Sequence, residues 1–246
     1  MTSLFSYLRR SVVPVFAIVA AGVLFTACLK NKDNNNSDIP AAGLMAFNLA
    51  PDQQSVVITL SGNTLTASPL GFNSYTGFYQ NVYPGSRSIN AYDYPNNAPL
   101  ATSSFNFEQN KYYSVFVTGS NNSYKNVVSV DNFDSLTSTS GNSYIRYINA
   151  IVDSVNTPTV TIAAAGNNVV NENAAYTSVS EFKAVTPGEV TITVKNGSGI
   201  DATRTITIDQ KKIYTILLSG IPGATDDTKK VQIKFVQNGT LTDDSK

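Results

Sequence analysis

The feature that most constrains the fold of this chain is that its second half repeats its first, at a spacing of about 101 residues. Gly43-Leu44-Met45-Ala46-Phe47-Asn48-Leu49-Ala50 returns as Ser143-Tyr144-Ile145-Arg146-Tyr147-Ile148-Asn149-Ala150, and Val57-Ile58-Thr59-Leu60 as Val160-Thr161-Ile162. Tyr75-Thr76 returns as Tyr176-Thr177, and Val82-Tyr83-Pro84-Gly85 as Val185-Thr186-Pro187-Gly188. Lys111-Tyr112-Tyr113-Ser114-Val115-Phe116-Val117-Thr118-Gly119 returns as Lys212-Ile213-Tyr214-Thr215-Ile216-Leu217-Leu218-Ser219-Gly220. Order and spacing are kept throughout. The chain therefore reads as two copies of one domain, residues 41–135 and 143–239, joined by a Ser/Thr/Gly-rich linker from Leu136 to Asn142.

Each copy reads as all-β. Val190, Ile192 and Val194 alternate with Thr191, Thr193 and Lys195, a period of two. Ile206 and Ile208 alternate with Thr205, Thr207 and Asp209, and Phe105 and Phe107 with Ser104, Asn106 and Glu108. Pro84-Gly85 and Pro187-Gly188 stand between strand-like runs, as turns do. About seven such runs per copy, spaced about 8–12 residues apart, predict two tandem immunoglobulin-like β-sandwich domains rather than a barrel.

The N-terminus is of another kind. Arg9 and Arg10 precede an uncharged apolar run from Ser11 to Phe25, which ends in Leu24-Phe25-Thr26-Ala27-Cys28 and the polar run Lys30-Asn31-Lys32-Asp33-Asn34-Asn35-Asn36. A positive start, a short apolar stretch and small residues before a cut are the parts of a secretory signal. An uncleaved helix would need about 20 apolar residues, and this shorter stretch holds Pro14. An ordinary secretory signal with an incidental cysteine is the other alternative. The run up to Cys28 resembles the lipobox of bacterial lipoproteins, with Phe25 where leucine is usual. That resemblance implies a cleaved lipoprotein signal peptide over residues 1–27 and a lipidated Cys28 as the first mature residue. Two or more acyl chains anchor stably where one does not. Residues 28–40 would then be a flexible tether, about 20 Å in root-mean-square span.

Phe47-Asn48-Leu49-Ala50-Pro51-Asp52, the Pro84-Gly85 turn and the strand Tyr113-Ser114-Val115-Phe116-Val117-Thr118-Gly119 together resemble the Bacteroidetes-type envelope lipoproteins of the domain of unknown function (DUF) 4397 family. The second copy keeps Asn149-Ala150 and has Ile151-Val152-Asp153 where Pro-Asp is expected. The resemblance implies a β-sandwich lipoprotein of the cell envelope, lipid-anchored at the outer membrane, with its domains facing either the periplasm or the cell surface. It implies no catalytic residues.

Composition closes off most chemistry. There is no histidine, and Cys28 is the sole cysteine. A Ser-His-Asp triad, an imidazole metal site and a disulfide framework are thereby excluded, as is a thiolate zinc site. No catalysis and no cofactor are expected. A carboxylate pair would draw on the four glutamates, Glu108, Glu172, Glu181 and Glu189, whose flanks read as solvated strand edges. Asp131, Asn132 and Asp134, and Asp226-Asp227, lack the pattern of a calcium loop. Lysine and arginine together equal aspartate and glutamate, and without Arg9 and Arg10 the acids exceed the bases by two. That argues against a nucleic-acid partner.

The repeat also singles out candidates for ligand contact. Tyr79 aligns with Phe182, Val82 with Val185 and Ile89 with Ile192, which marks core. Phe78, Tyr83 and Tyr92 align with Glu181, Thr186 and Lys195, and Tyr94 follows in a Pro/Asn loop. Phe78, Tyr83, Tyr92 and Tyr94 are the candidates, suited to a glycan or an envelope protein as partner, or to packing under a loop or against the second copy. Arg87 aligns with Val190, so either the register shifts near the turn or Arg87 snorkels to the surface.

Overall fold

The computed structural model describes residues 39–137, 141–153 and 155–242. The signal-like segment, Cys28 and the tether to residue 38 lie outside the described residues, as does part of the linker. Residues from Pro40 onward form one compact unit that contains both copies.

In the first copy the strands are β1 (Ala42–Leu49), β2 (Ser55–Leu60), β3 (Asn63–Thr64), β4 (Leu70–Gly71), β5 (Ser74–Tyr75), β6 (Gln80–Val82), β7 (Gly85–Asp93), β8 (Pro99–Phe107), β9 (Tyr112–Ser120) and β10 (Ser123–Val130). In the second they are β11 (Ser143–Ile151), β12 (Thr159–Ala164), β13 (Asn167–Asn173), β14 (Lys183–Val185), β15 (Gly188–Lys195), β16 (Asp201–Ile208), β17 (Lys212–Gly220) and β18 (Gln232–Thr240). Helical structure among the described residues is a single 3₁₀ turn at Phe133–Ser135. Each copy is a two-sheet sandwich. The first pairs β10-β9-β1, with β5 and β6 along β1, against β3-β2-β7-β8, with β4 on β2. The second pairs β14-β11-β17-β18 against β13-β12-β15-β16. β1 runs parallel to β9, and β11 parallel to β17.

The alternation read in the sequence on β8, β15 and β16 extends to β2 and β12 of the outer sheets. Val56, Ile58 and Leu60 of β2 point inward, as do Val160, Ile162 and Ala164 of β12. The inner strands behave differently. β1 and β11 are buried at every position, and β9 and β17 at all but the first. Such strands have both faces covered. One face of β1 (Leu44, Ala46) enters the first sandwich core, while Met45, Phe47 and Leu49 enter a separate cluster with Phe116, Ile148, Ala150, Leu217 and Val236. The two sandwiches therefore stack, inner sheet on inner sheet, into four layers with three apolar cores. Phe47 stacks on Phe116 with ring centroids 4.7 Å apart. Each such aromatic contributes about 1.5–3 kcal/mol through burial.

Two details of the repeat are settled by the register. Gly43 pairs with Tyr112, and Tyr144 with Ile213, so Gly43 corresponds to Tyr144 rather than to Ser143. Asn48 and Asn149 confirm this: each side chain accepts from the backbone N–H two residues on (Ala50, Ile151) and donates to a loop carbonyl (Leu70, Ala174). Arg146 thus occupies the place of Met45. Arg87 pairs with Phe105 in unbroken register from Gly85 to Ala91, and its guanidinium turns back to donate to the carbonyls of Tyr83 and Pro84. Of the two accounts of Arg87, snorkelling holds.

Gly119, next to last in β9, and Gly220, last in the equivalent β17, have φ +121° and +116°. A Cβ would drive into the carbonyl of Ser123 in one copy and of Lys230 in the other. Gly119→Ala and Gly220→Ala are each expected to cost about 1–3 kcal/mol. Gly62→Ala, also at positive φ but facing open space, should cost less. Urea midpoints of the three variants check this.

Candidate functional site

The most concentrated chemistry in the molecule lies where the two copies meet. Arg146, on β11, stands in a run of apolar residues, and its side chain is 1% exposed. Strand parity aims it away from the second sandwich core and at the first copy. There Nη2 lies 2.6 Å from Oδ1 of Asp131, whose side chain is fully buried. Nη2 also donates to Oγ of Ser114 (3.0 Å), Nη1 to Oγ of Ser129 (3.2 Å) and Nε to Oγ1 of Thr215 (3.0 Å). The guanidinium carbon lies 4.4 Å from the centre of the Phe182 ring, a cation–π contact.

The partners close a circuit. Ser114 (2.7 Å) and the Tyr79 hydroxyl (2.5 Å) both donate to Oδ2 of Asp131. Thr215 donates to Oδ1 of Asn238 (2.6 Å), and Nδ2 of Asn238 donates to the Tyr79 oxygen (3.1 Å). Tyr79, Ser114, Ser129 and Asp131 come from the first copy, Arg146, Thr215 and Asn238 from the second. Burial, then the Asp131 carboxylate beside it, push the Tyr79 phenol well above the ordinary tyrosine range. The phenol therefore stays a donor. Tyr79, Tyr112 and Phe133 pack edge-on or tilted above the circuit, and Phe133 also meets Phe182.

The Asp131 carboxylate is thus engaged by Arg146 and by two hydroxyl donors, Ser114 and Tyr79, rather than left for a metal ion. Asp134 pairs with Lys111 (2.5 Å), and Asp226 and Asp227 pair with Lys229 and Lys230. Among the described residues no group of three or more aspartate, glutamate, histidine or cysteine side chains is placed to hold a metal ion. Glu172 accepts from the Tyr147 hydroxyl (2.8 Å). Burial, then that contact, raise the Tyr147 phenol above its ordinary range.

The four aromatic candidates fall into two pairs. Phe78 and Tyr83 are 64% and 63% exposed and line adjoining shallow pockets that share Gln80. Tyr94 is 54% exposed, and Tyr92 is half-buried on β7 opposite Val57 and Pro99. Tyr83 precedes β7 and Tyr94 follows it, so the pairs lie at opposite ends of a strand about 25 Å long. Cys28 lies outside the described residues.

The model of the domain of unknown function DUF4397 matches twice, over residues 42–155 and 143–241. The chain belongs to this family. No curated protein matches it. Among solved structures it is similar to the tip fimbrial protein Mfa3 of Porphyromonas gingivalis, at 10% identity and TM-score 0.27, over 81% of this chain and 99% of that one. It is also similar to the family CBM26 module CBMbc of Eubacterium rectale Amy13K, solved with maltoheptaose, at 10% identity and TM-score 0.25, over 83% and 99%. A third is a Bacteroides uniformis protein provisionally described as a cell adhesion protein, at 12% identity and TM-score 0.25, over 80% and 98%. At such scores none superposes on the whole of this DUF4397 pair.

Removing one partner of a buried ion pair costs about 3–5 kcal/mol, because the other charge is left uncompensated. Arg146→Met, which restores the residue type of the first copy, and Asp131→Asn are each expected to lose stability on this scale. The double variant should lose less than the sum, with a coupling of about 1–3 kcal/mol. Denaturant unfolding of the four proteins in the cycle measures this.

Proposed function

We propose that this chain is a lipid-anchored envelope protein, held at the outer membrane through Cys28, that displays its stacked DUF4397 pair for binding or adhesion and catalyses nothing. The observation that carries this reading is where the polar chemistry sits. The buried network joins copy to copy, and its charged centre, Arg146 and Asp131, is closed off from solvent; the cavity of about 570 Å³ beside it reaches the network at Tyr79 and Asn238. Phe78, Tyr83 and Tyr94, by contrast, face solvent on loops, where binding residues concentrate. Among the described residues no helix is long and apolar enough to cross a membrane; the anchor in this reading is the N-terminal Cys28.

A second reading, a glycan-binding surface lipoprotein, is favoured by the exposure of Phe78, Tyr83 and Tyr94, with Phe78 and Tyr83 beside pockets that also hold the polar side chain of Gln80. Exposed aromatic faces suit sugar rings. The same surface would serve a structural subunit of an envelope complex.

Protease shaving of intact cells, read by blotting, should remove the folded domains. A metabolically incorporated fatty acid should label the native chain and leave Cys28→Ala unlabelled and unprocessed. Domains that survive shaving would place them on the periplasmic side, and a Cys28→Ala chain retained normally in the membrane with residues 1–27 still attached would contradict the lipid anchor.

A further inference from the structure

The stacking of the copies creates a groove that neither copy has alone. It lies at the end of the interface away from Arg146 and encloses about 890 Å³, within the range of about 300–1,000 Å³ typical of ligand clefts. One wall is the β1–β2 turn with Asp52 and Gln53, followed by Phe72 and Asn73 between β4 and β5; the other is the β17–β18 loop with Lys229 and the start of β18 with Gln232 and Lys234. The walls are tied together. Ser219 donates to Oδ1 of Asn73 (2.6 Å), and Nδ2 of Asn73 donates to Oε1 of Gln232 (3.4 Å). Pro51-Asp52, the family-like turn that the second copy replaces with Val152-Asp153, forms this wall and so falls on one side of the groove only.

We propose that this inter-copy groove is a saccharide site, with Phe72 supplying an apolar face and Gln53, Gln232, Asp52, Lys229 and Lys234 supplying hydroxyl partners. This deepens the glycan reading and moves its centre from the exposed tyrosines to the groove. Carboxylates accept only, ammonium groups donate only, and amides do both, so the lining offers donors and acceptors together. A ligand made of hydroxyl groups can meet both kinds. A polyanion would face Asp52 and Asp227, and a polycation Lys229 and Lys234.

Asp52 is fixed in place at this wall. Its Oδ2 accepts from the Asn121 N–H (2.7 Å) and the Tyr124 hydroxyl (2.8 Å), while Oδ1 is buried without any donor. Such an orphaned oxygen is costly in a folded protein.

The test uses the full chain in detergent on a printed array of neutral oligosaccharides: α- and β-linked glucans, mannans, galactans and chains containing N-acetylhexosamine. Hits are expected, weakened about tenfold or more by Phe72→Ala and Gln232→Ala and unchanged by Tyr83→Ala and Tyr94→Ala. Unfolding midpoints confirm that all four variants fold. Hits lost in the tyrosine variants and kept in the groove variants would overturn the groove and keep the glycan reading. No hits, with cell adhesion surviving periodate oxidation of the target surface, would overturn both and leave adhesion to a protein partner.

Discussion

The buried Arg146–Asp131 pair is the interaction on which the arrangement of the two copies depends. A charge in a water-free interface is tolerated only when its partner and hydrogen bonds are all in place. Here the partner and three hydroxyls come from three different strands and the stretch after β10. Only one placement of the second sandwich on the first satisfies them together. The surrounding cluster of Met45, Phe47, Leu49, Phe116, Ile148, Leu217 and Val236 supplies the larger part of the attraction, since apolar burial is not directional. The ion pair supplies the angle and the register.

This division of labour explains why a duplicated domain became asymmetric. Met45 and Arg146 occupy equivalent places on β1 and β11, as do Ser114 and Thr215 on β9 and β17. Had both copies kept methionine, the interface would be uniformly apolar and free to slide. With arginine in one copy and Asp131 closing the other, the two faces are complementary rather than identical. The same stacking fixes the groove at the far end, where Asn73 and Gln232 meet. A ligand gripping both walls therefore meets a preorganised site and avoids the ordering cost of two loosely tethered domains.

Much of the fold was legible. The period-two alternation on β8, β15 and β16 and the Pro-Gly turns identify sandwich strands, because one face of each outer sheet is wet. The stacking was also written in the sequence, in a form easily passed over. The near-continuous apolar runs Ile145–Ala150 and Ile213–Leu218 are longer than a sandwich with one wet face requires. Arg146 interrupts one of them at a position whose parity points out of its own core. Reading the first strand one residue out of register, with Arg146 opposite Ala46, hid that signal, since the place of Met45 is the interface face. The aromatics Phe78, Tyr83, Tyr92 and Tyr94 follow from unlike residues in the copies. Their separation into two pairs does not, because it depends on how far β7 carries the chain between them. The groove was beyond reach, being made of loops brought together by packing between copies.

The central claim, that the copies form one cooperative body, is tested most directly by scanning calorimetry of the full chain. A single transition is predicted, with calorimetric and van't Hoff enthalpies in agreement. Two resolved transitions, or a van't Hoff enthalpy near half the calorimetric one, would mean that the sandwiches unfold independently, and the account of a locked pair would fail.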